Sequence, residues 1–314
     1  MPALDRLGLT AATAAPAAAH SDTQTQTKEI FGFKWAKRET YESDHVQDFA
    51  RQWLFERYCN NDPQRLSDWL AGDRKIILDA GCGSGYSALL FFADHLKQHD
   101  YLGVDISSAV DVAKVRFAER DYPADFLQVS LLDLPVPDDS VDLIFSEGVL
   151  HHTDNTGDSI AYLAKKLRPG GRFLFYVYAK KAVIREFTDD HIRAEIKAMP
   201  DEQAWEALMA LTKLGKVLGD LKIEIDIPEA IPYLGIPKGK LDLQRFFYWN
   251  ICKLYYRPDY SLEEMNHINF DWFRPLNCHR HTRAEVEGFC QAAGLIIEAL
   301  NEQESGITVV ARKG

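Results

Sequence analysis

The amino-acid sequence predicts an α/β fold: a doubly wound, mostly parallel sheet with helices on its faces, interrupted late in the chain by a mainly helical insertion. Three observations carry that prediction. Short apolar, β-branched runs recur at 76–79, 101–105, 126–129, 140–146 and 172–179, with helix-period segments between them, the alternation expected of a parallel sheet. Glycines at 81, 83 and 85 follow the first run directly, where a strand must turn sharply into a helix. Finally, residues 180 to 281 separate the fifth run from the last helical segment, where a bare connection needs fewer than about 20 residues.

Composition sets the outer limits. The chain has 314 residues, 46% apolar and 26% charged, enough for one sizeable α/β domain and an insertion. No apolar run approaches the ~18 residues of a membrane span. A formal net charge of −11 argues against a nucleic-acid partner, because phosphate contacts need clustered Lys or Arg. The five cysteines (59, 82, 252, 278, 290) are odd in number, widely spaced and without a C-x-x-C. They suggest neither a disulfide framework nor a metal site, and point to a reducing, cytoplasmic compartment.

In chain order, residues 1–28 are rich in Ala, Thr, Gln and Pro and read as a disordered tail, lacking the leucine core and basic start of a signal peptide. An aromatic cluster, Phe31-Gly32-Phe33-Lys34-Trp35, and then Tyr41 open a segment, 29–70, of helices at 46–58 and 63–69. Ile76-Ile77-Leu78-Asp79 is a buried strand ending in an acid, and Ala80-Gly81-Cys82-Gly83-Ser84-Gly85-Tyr86 is its turn into a helix at 87–97. Exposed N–H groups at such a turn suit a nucleotide or a carboxylate. A dinucleotide fingerprint would read G-x-G-x-x-G with an acid about 20 residues on. Here the pattern is D-x-G-x-G-x-G, and an acid before the glycines suits a ligand bearing an ammonium better than a pyrophosphate.

The run Leu78-Asp79-Ala80-Gly81-Cys82-Gly83-Ser84-Gly85 resembles the first motif of class I S-adenosylmethionine-dependent methyltransferases. Tyr101-Leu102-Gly103-Val104-Asp105 resembles the second, Leu131 to Pro135 the adenine-framing segment, Phe145 to Thr153 the stretch after the fourth strand, and Leu167-Arg168-Pro169-Gly170-Gly171-Arg172-Phe173 the approach to the fifth. The resemblance implies a seven-stranded Rossmann-like sheet over 71–179 and 282–314, with the last strand antiparallel, formed from runs at 295–300 and 307–312. It also implies S-adenosylmethionine as cofactor and S-adenosylhomocysteine as product.

The implied cofactor residues begin with Asp79, Ala80, Gly81, Gly83 and Gly85 at the turn. Asp105, which would take the ribose hydroxyls or cap the next helix with Ser107 and Ser108, comes next with Ile106. Leu132 and Asp133 would frame the adenine, and Glu147 and Gly148 follow the fourth strand. Trp35 and Tyr41 are candidates for an N-terminal flap over the methionine end, the alternative being a staple that docks the N-terminus on the core. Transfer from a sulfonium is an in-line displacement that needs orientation and exclusion of water. A hydroxyl acceptor also needs a base, and His152, His279 and His281 are the candidates. Cys278, His279 and His281 could start a zinc site but lack a fourth ligand nearby, so no metal is expected.

Within 180–281, a helix is expected at 202–218, irregular chain at the three prolines of 225–237, and aromatic-rich segments at 241–256 and 270–281. This insertion reads as a substrate lid. The expected function is methylation of a small-molecule acceptor at oxygen or nitrogen. A protein or RNA acceptor, or a catalytically inactive cofactor-binding module, is the alternative. Oligomeric state is open, a homodimer included.

Overall fold

The structure is a computed structural model, and it describes residues 3–9 and 21–314. The chain divides into two compact units, one of residues 1–36, 47–179 and 279–314, the other of 37–46 and 180–278.

The first unit is the sheet. A short helix α1 (Ala3–Arg6) and a longer α2 (Asp22–Ala36) precede α3 (Asp44–Cys59), which begins just before the unit boundary, and α4 (Pro63–Leu70). Then β1 (Ile76–Ala80), α5 (Tyr86–Phe91), β2 (Asp100–Asp105), α6 (Ala109–Ala118), β3 (Asp125–Gln128), β4 (Val141–Glu147), α7 (Thr156–Lys166) and β5 (Leu167–Tyr178) alternate. The second unit contributes α8 (Val183–Ile196), α9 (Asp201–Asp220), β6 (Glu224–Ile227), β7 (Gly239–Asp242), α10 (Leu243–Asn250) and α11 (Leu262–Phe273). The chain returns to the first unit for α12 (Arg283–Ala292), β8 (Leu295–Glu302) and β9 (Gly306–Lys313).

Strand order is β3-β2-β1-β4-β5-β9-β8. The first five strands are parallel, and β9 runs antiparallel between β5 and β8. The sheet is therefore the seven-stranded one with an antiparallel last strand. Every residue of β1 and β2 is buried, as strands covered on both faces must be. Alternate residues feed two cores: Ile76, Leu78, Val104 and Phe175 pack in one, Ile77, Leu143, Phe145 and Leu174 in the other. The chain winds outward from β1 to β3 and resumes on the other side of β1 with β4, so the order reverses between β1 and β4. A crevice at the carboxyl ends of those strands is where ligands bind in such sheets.

Several boundaries differ from expectation. Residues 1–28 are not a uniform disordered tail: α1 is helical and tied down, Leu4 N–H donating to Asp125 Oδ2 at 2.9 Å and Arg6 Nη1 to Asp100 Oδ2 at 2.6 Å. Helix α2 begins at Asp22, and residues 1, 2 and 10–20 of that stretch lie outside the described residues. The 29–70 segment is split, 37–46 belonging to the other unit. The helix expected at 87–97 stops at Phe91, where Phe92 leaves helical geometry, and continues as turns. The fifth strand, expected from 172, has bounds that begin at Leu167, because pairing resumes after a bulge, from Leu167 opposite Val141 to Arg172 opposite Leu143.

In the second unit α9 and α11 pack together through Trp205 on Phe270, ring centroids 5.2 Å apart, and through Thr212 Oγ1, which donates to Asn266 Oδ1 and accepts from Asn269 Nδ2, both at 2.8 Å. The 37–46 segment is bound here by Thr40, whose Oγ1 lies 2.6 Å from His267 Nδ1, and by Ser43, which donates to Glu264. The stretch 225–237 is not wholly irregular. Strand β6 ends at Ile227, directly before Pro228, so it pairs with β7 before the first proline can remove a donor.

Candidate functional site

The glycine turn is built by the end of β2. Gly81 and Cys82 N–H groups both donate to the Val104 carbonyl, at 2.8 and 2.9 Å, and Gly83 N–H donates to Asp105 Oδ2 at 2.8 Å. Asp105 Oδ1 accepts from Ser107 N–H at 2.8 Å and Ser107 Oγ at 2.6 Å. The carboxylate thus holds the turn in shape. It is not the cap of α6, whose N-cap residue is Ser108. Glycine is needed at two places in particular. A Cβ on Gly81 would lie 2.3 Å from a Val149 methyl, and one on Gly83 would lie 2.7 Å from Trp35 Nε1, at backbone φ of +88° and +51°.

Trp35, at the end of α2, therefore lies against the turn itself. Its ring also meets Tyr86 at 6.1 Å, and Lys34 Nζ sits 4.1 Å from its centroid. Tyr41, its expected companion, belongs to the second unit and packs on His267, centroids 5.4 Å apart.

Three buried carboxylates end the central strands. Asp79 accepts from Tyr101 Oη at 2.6 Å. Burial pushes its carboxyl up to about 7, opposed by the Tyr101 hydrogen bond and reinforced by Asp105 and Glu147. Burial likewise raises Asp105 against the pull of its Ser107 and Gly83 donors. Glu147 is raised by burial too, while Arg57 and Tyr58 pull it down. Tyr58 Oη donates to Glu147 Oε2 at 2.5 Å, and Arg57 Nη1 stands 3.3 Å from Oε1. A crevice edge with three carboxylates resisting ionisation favours a ligand bearing positive charge. S-adenosylmethionine carries a sulfonium and an ammonium, so these residues fit it.

The remaining expected cofactor positions follow. Ala80 is buried, its carbonyl accepting from Ser146 Oγ at 2.7 Å. Ile106 accepts from Gln128 Nε2 at 3.3 Å. Leu132 and Asp133 form a 3-10 turn started by Ser130, with Leu132 exposed. Gly85 caps α5 in the left-handed region, and Gly148 has φ +71° with open space where a Cβ would be.

The candidate histidines gather at the turn after β4. His152 is buried, its ring 5.1 Å from Phe31 and 5.6 Å from Tyr178. His279 N–H donates to the His151 carbonyl at 2.9 Å, and its Nε2 lies 3.0 Å from the Thr153 carbonyl. His281 Nε2 lies 2.9 Å from Thr156 Oγ1.

Two site residues were missed by the sequence reading. Arg57 is buried between Trp53 and Tyr176, its guanidinium carbon 3.7 and 3.5 Å from their centroids. Arg116 Nη1 donates to the Ser84 carbonyl at 2.9 Å, supporting the turn from α6. A signal existed for both. Arg116 falls on the stripe of buried Ala109, Ala113 and Phe117, and Arg57 three positions after buried Leu54, where an arginine needs a partner.

Comparison with known proteins agrees with this geometry. Residues 78–175 match the family model described as a methyltransferase domain. A probable S-adenosylmethionine-dependent methyltransferase of Mycolicibacterium smegmatis is 38% identical over 112 residues, 35% of this chain and 40% of that protein. A tRNA U34 carboxymethyltransferase of Methylococcus capsulatus is 36% identical over 107 residues, 33% of this chain and 32% of that protein. The chain thus spans about a third of the length of such relatives. The crystal structure of magnesium protoporphyrin IX methyltransferase from Synechocystis, with bound S-adenosylhomocysteine, shares the fold with a TM-score of 0.51 at 15% identity, covering 93% of this chain and 100% of that one. No helix among the described residues is long and apolar enough to cross a membrane. Residues 78–175 thus form a domain similar to methyltransferase domains, and the glycine turn and strand order agree with that likeness.

Proposed function

We propose that the protein methylates a small-molecule acceptor at oxygen or nitrogen, using S-adenosylmethionine bound at the glycine turn. The cofactor in this reading is supported by the buried carboxylates at the ends of β1, β2 and β4, and the small acceptor by the net charge of −11, which disfavours a nucleic acid. The cofactor supplies an electrophilic methyl group on sulfur. The chain's own residues do the rest. Asp105 fixes the turn and offers its remaining acceptor capacity to ribose hydroxyls, and Asp79 balances the ligand's positive charge. Trp35 covers the turn and keeps water from it.

For a hydroxyl acceptor, a base comes from the histidines at the turn after β4. His279 is the best placed by tautomer: with Nε2–H donating to the Thr153 carbonyl, a neutral ring keeps its lone pair on Nδ1. His152 and His281 are the other candidates. An amine that is already neutral needs none of them.

An RNA acceptor is the second reading, favoured by the tRNA-modifying relative. The net charge of −11 weighs against it. Incubation with deuterated-methyl S-adenosylmethionine and fractionated cell extract decides. Label in a metabolite supports the first reading, and label confined to RNA or protein overturns it. His279→Ala is expected to slow turnover at saturating acceptor by about 10²-fold or more if the acceptor is a hydroxyl.

A further inference from the structure

The second unit holds a concentration of buried charge opposite in sign to that at the glycine turn. Trp272 on α11 is 2% exposed and surrounded by four cations. From its ring, the Arg193 guanidinium carbon and Lys253 Nζ each lie 4.9 Å away, the Arg185 guanidinium carbon 5.1 Å and Lys181 Nζ 5.5 Å. Arg185 is 1% exposed, Lys253 6% and Arg193 8%. Cations buried to that degree are ordinarily matched by carboxylates.

The match is incomplete here. Asp189, the buried carboxylate of the cluster, is already engaged. Its Oδ2 accepts from Arg185 Nε at 3.1 Å and Trp272 Nε1 at 2.7 Å, and its Oδ1 accepts the Lys253 backbone N–H at 3.1 Å. Arg193 is also satisfied, by Asp190 at 2.8 Å and by the Trp272 carbonyl at 3.1 and 2.8 Å. One donor is left over. Among the described residues, Arg185 Nη1 has no hydrogen-bond partner, and the Lys253 ammonium lies over the Trp272 ring, with Asp271 and Asp189 the opposite charges that act on it. A buried guanidinium N–H left without a partner costs more than most side-chain contacts return. A planar fork beside an ammonium is the donor set that carboxylates and phosphates select.

We infer that the insertion contains a binding site for a small oxyanion, the carboxylate or phosphate group of a metabolite, held by Arg185 Nη1 and Lys253 Nζ over the face of Trp272. Every group in this site lies between Lys181 and Trp272, so the inference stands independently of methyl transfer. The charges facing the two lysines set its pH dependence. Burial pushes Lys253 down to about 7, with Arg185 adding to the fall and Asp271, Asp189 and Cys278 opposing it. Burial lowers Lys181 as well, with Arg185 and Lys253 adding to the fall and Glu186 and Cys278 opposing. An anion binds the charged lysine, so binding takes up a proton near and above pH 7 and weakens as pH rises through that value.

The test uses the full chain labelled with 5-fluorotryptophan, the Trp272 resonance being assigned by Trp272→Phe. Sodium acetate and sodium phosphate are titrated separately, each against sodium chloride at matched ionic strength. The expected result is a saturable shift of the Trp272 resonance with acetate, phosphate or both, and none with chloride. Acetate alone identifies a carboxylate ligand, phosphate alone a phosphate ester. In Lys253→Met, affinity falls about tenfold or more, while melting temperature at neutral pH stays at or above that of the parent, because the desolvation cost of a buried ammonium is gone. Acetate does not titrate between pH 6 and pH 9, so its weaker binding at the higher pH reports the lysines. No saturable shift with either anion, or an equal shift in Lys253→Met, overturns the inference.

Discussion

Asp79 is costly to the fold, and under the proposed function its charge is what the ligand needs. Its carboxyl titrates near 7 in the folded protein against 3.8 in its ordinary setting. An acid raised on folding contributes stability that is full below 3.8 and lost as pH rises through about 7, because the unfolded chain ionises first. Asp79→Asn keeps an acceptor for Tyr101 and removes that loss. Its unliganded form should gain on the parent by roughly 2–3 kcal/mol more at pH 8 than at pH 5, read by melting curves at both values. The same variant should bind S-adenosylmethionine more weakly at pH 8, since the balancing charge is gone. Equal pH profiles for variant and parent would remove Asp79 as the source. Gly83 makes a different point. Adding a methyl there strains a left-handed backbone by about 1–2 kcal/mol and meets Trp35 Nε1 at 2.7 Å. Gly83→Ala should lower the melting temperature and shift the fluorescence component that Trp35→Phe removes. An unchanged Trp35 signal would mean that the ring does not rest on the turn.

The elements were legible in the sequence to the extent that local pattern determines them. Strands β1, β2 and β4 and their terminal acids could be read because burial on both faces demands continuous apolar runs. The capping box Thr282–Glu285 marks the start of α12 in the same local way, whereas α11, opened by the box Ser261–Glu264, was not among the expected helices. What escaped was set by distant contacts. Helix α1 forms where composition suggested disorder, because Asp125 and Asp100 reach it across the chain. Arg57 and Arg116 escaped because an arginine on an apolar stripe declares only that a partner exists, not which one. Helix α6 offers the sharper trial of that lesson. Arg116 is 1% exposed and ties the helix to the Ser84 carbonyl. Arg116→Met should cost about 1.5–3 kcal/mol in unfolding free energy and weaken cofactor binding measured by calorimetry, because the turn loses its support. Lost stability with unaltered cofactor affinity would confine Arg116 to a packing role.

At the scale of the whole molecule, charge and connectivity matter most. A protein with net charge −11 should retain no bulk tRNA in a gel-shift assay at physiological salt, since nonspecific affinity comes from phosphate neutralisation. Retention that weakens steeply with added salt would favour the RNA reading. Strand β9 lies between β5 and β8 and pairs with both, yet it is the last strand of the chain. While a ribosome is still making this protein, β5 has been synthesised and its neighbour has not. For the whole span from Tyr178 to Gly306, an unpaired edge rich in Phe173, Phe175 and Val177 waits for its partner, the kind of edge to which other chains add. The nascent protein is therefore most in need of chaperone cover until β9 has been made, and a product truncated before Gly306 is the form most prone to aggregate.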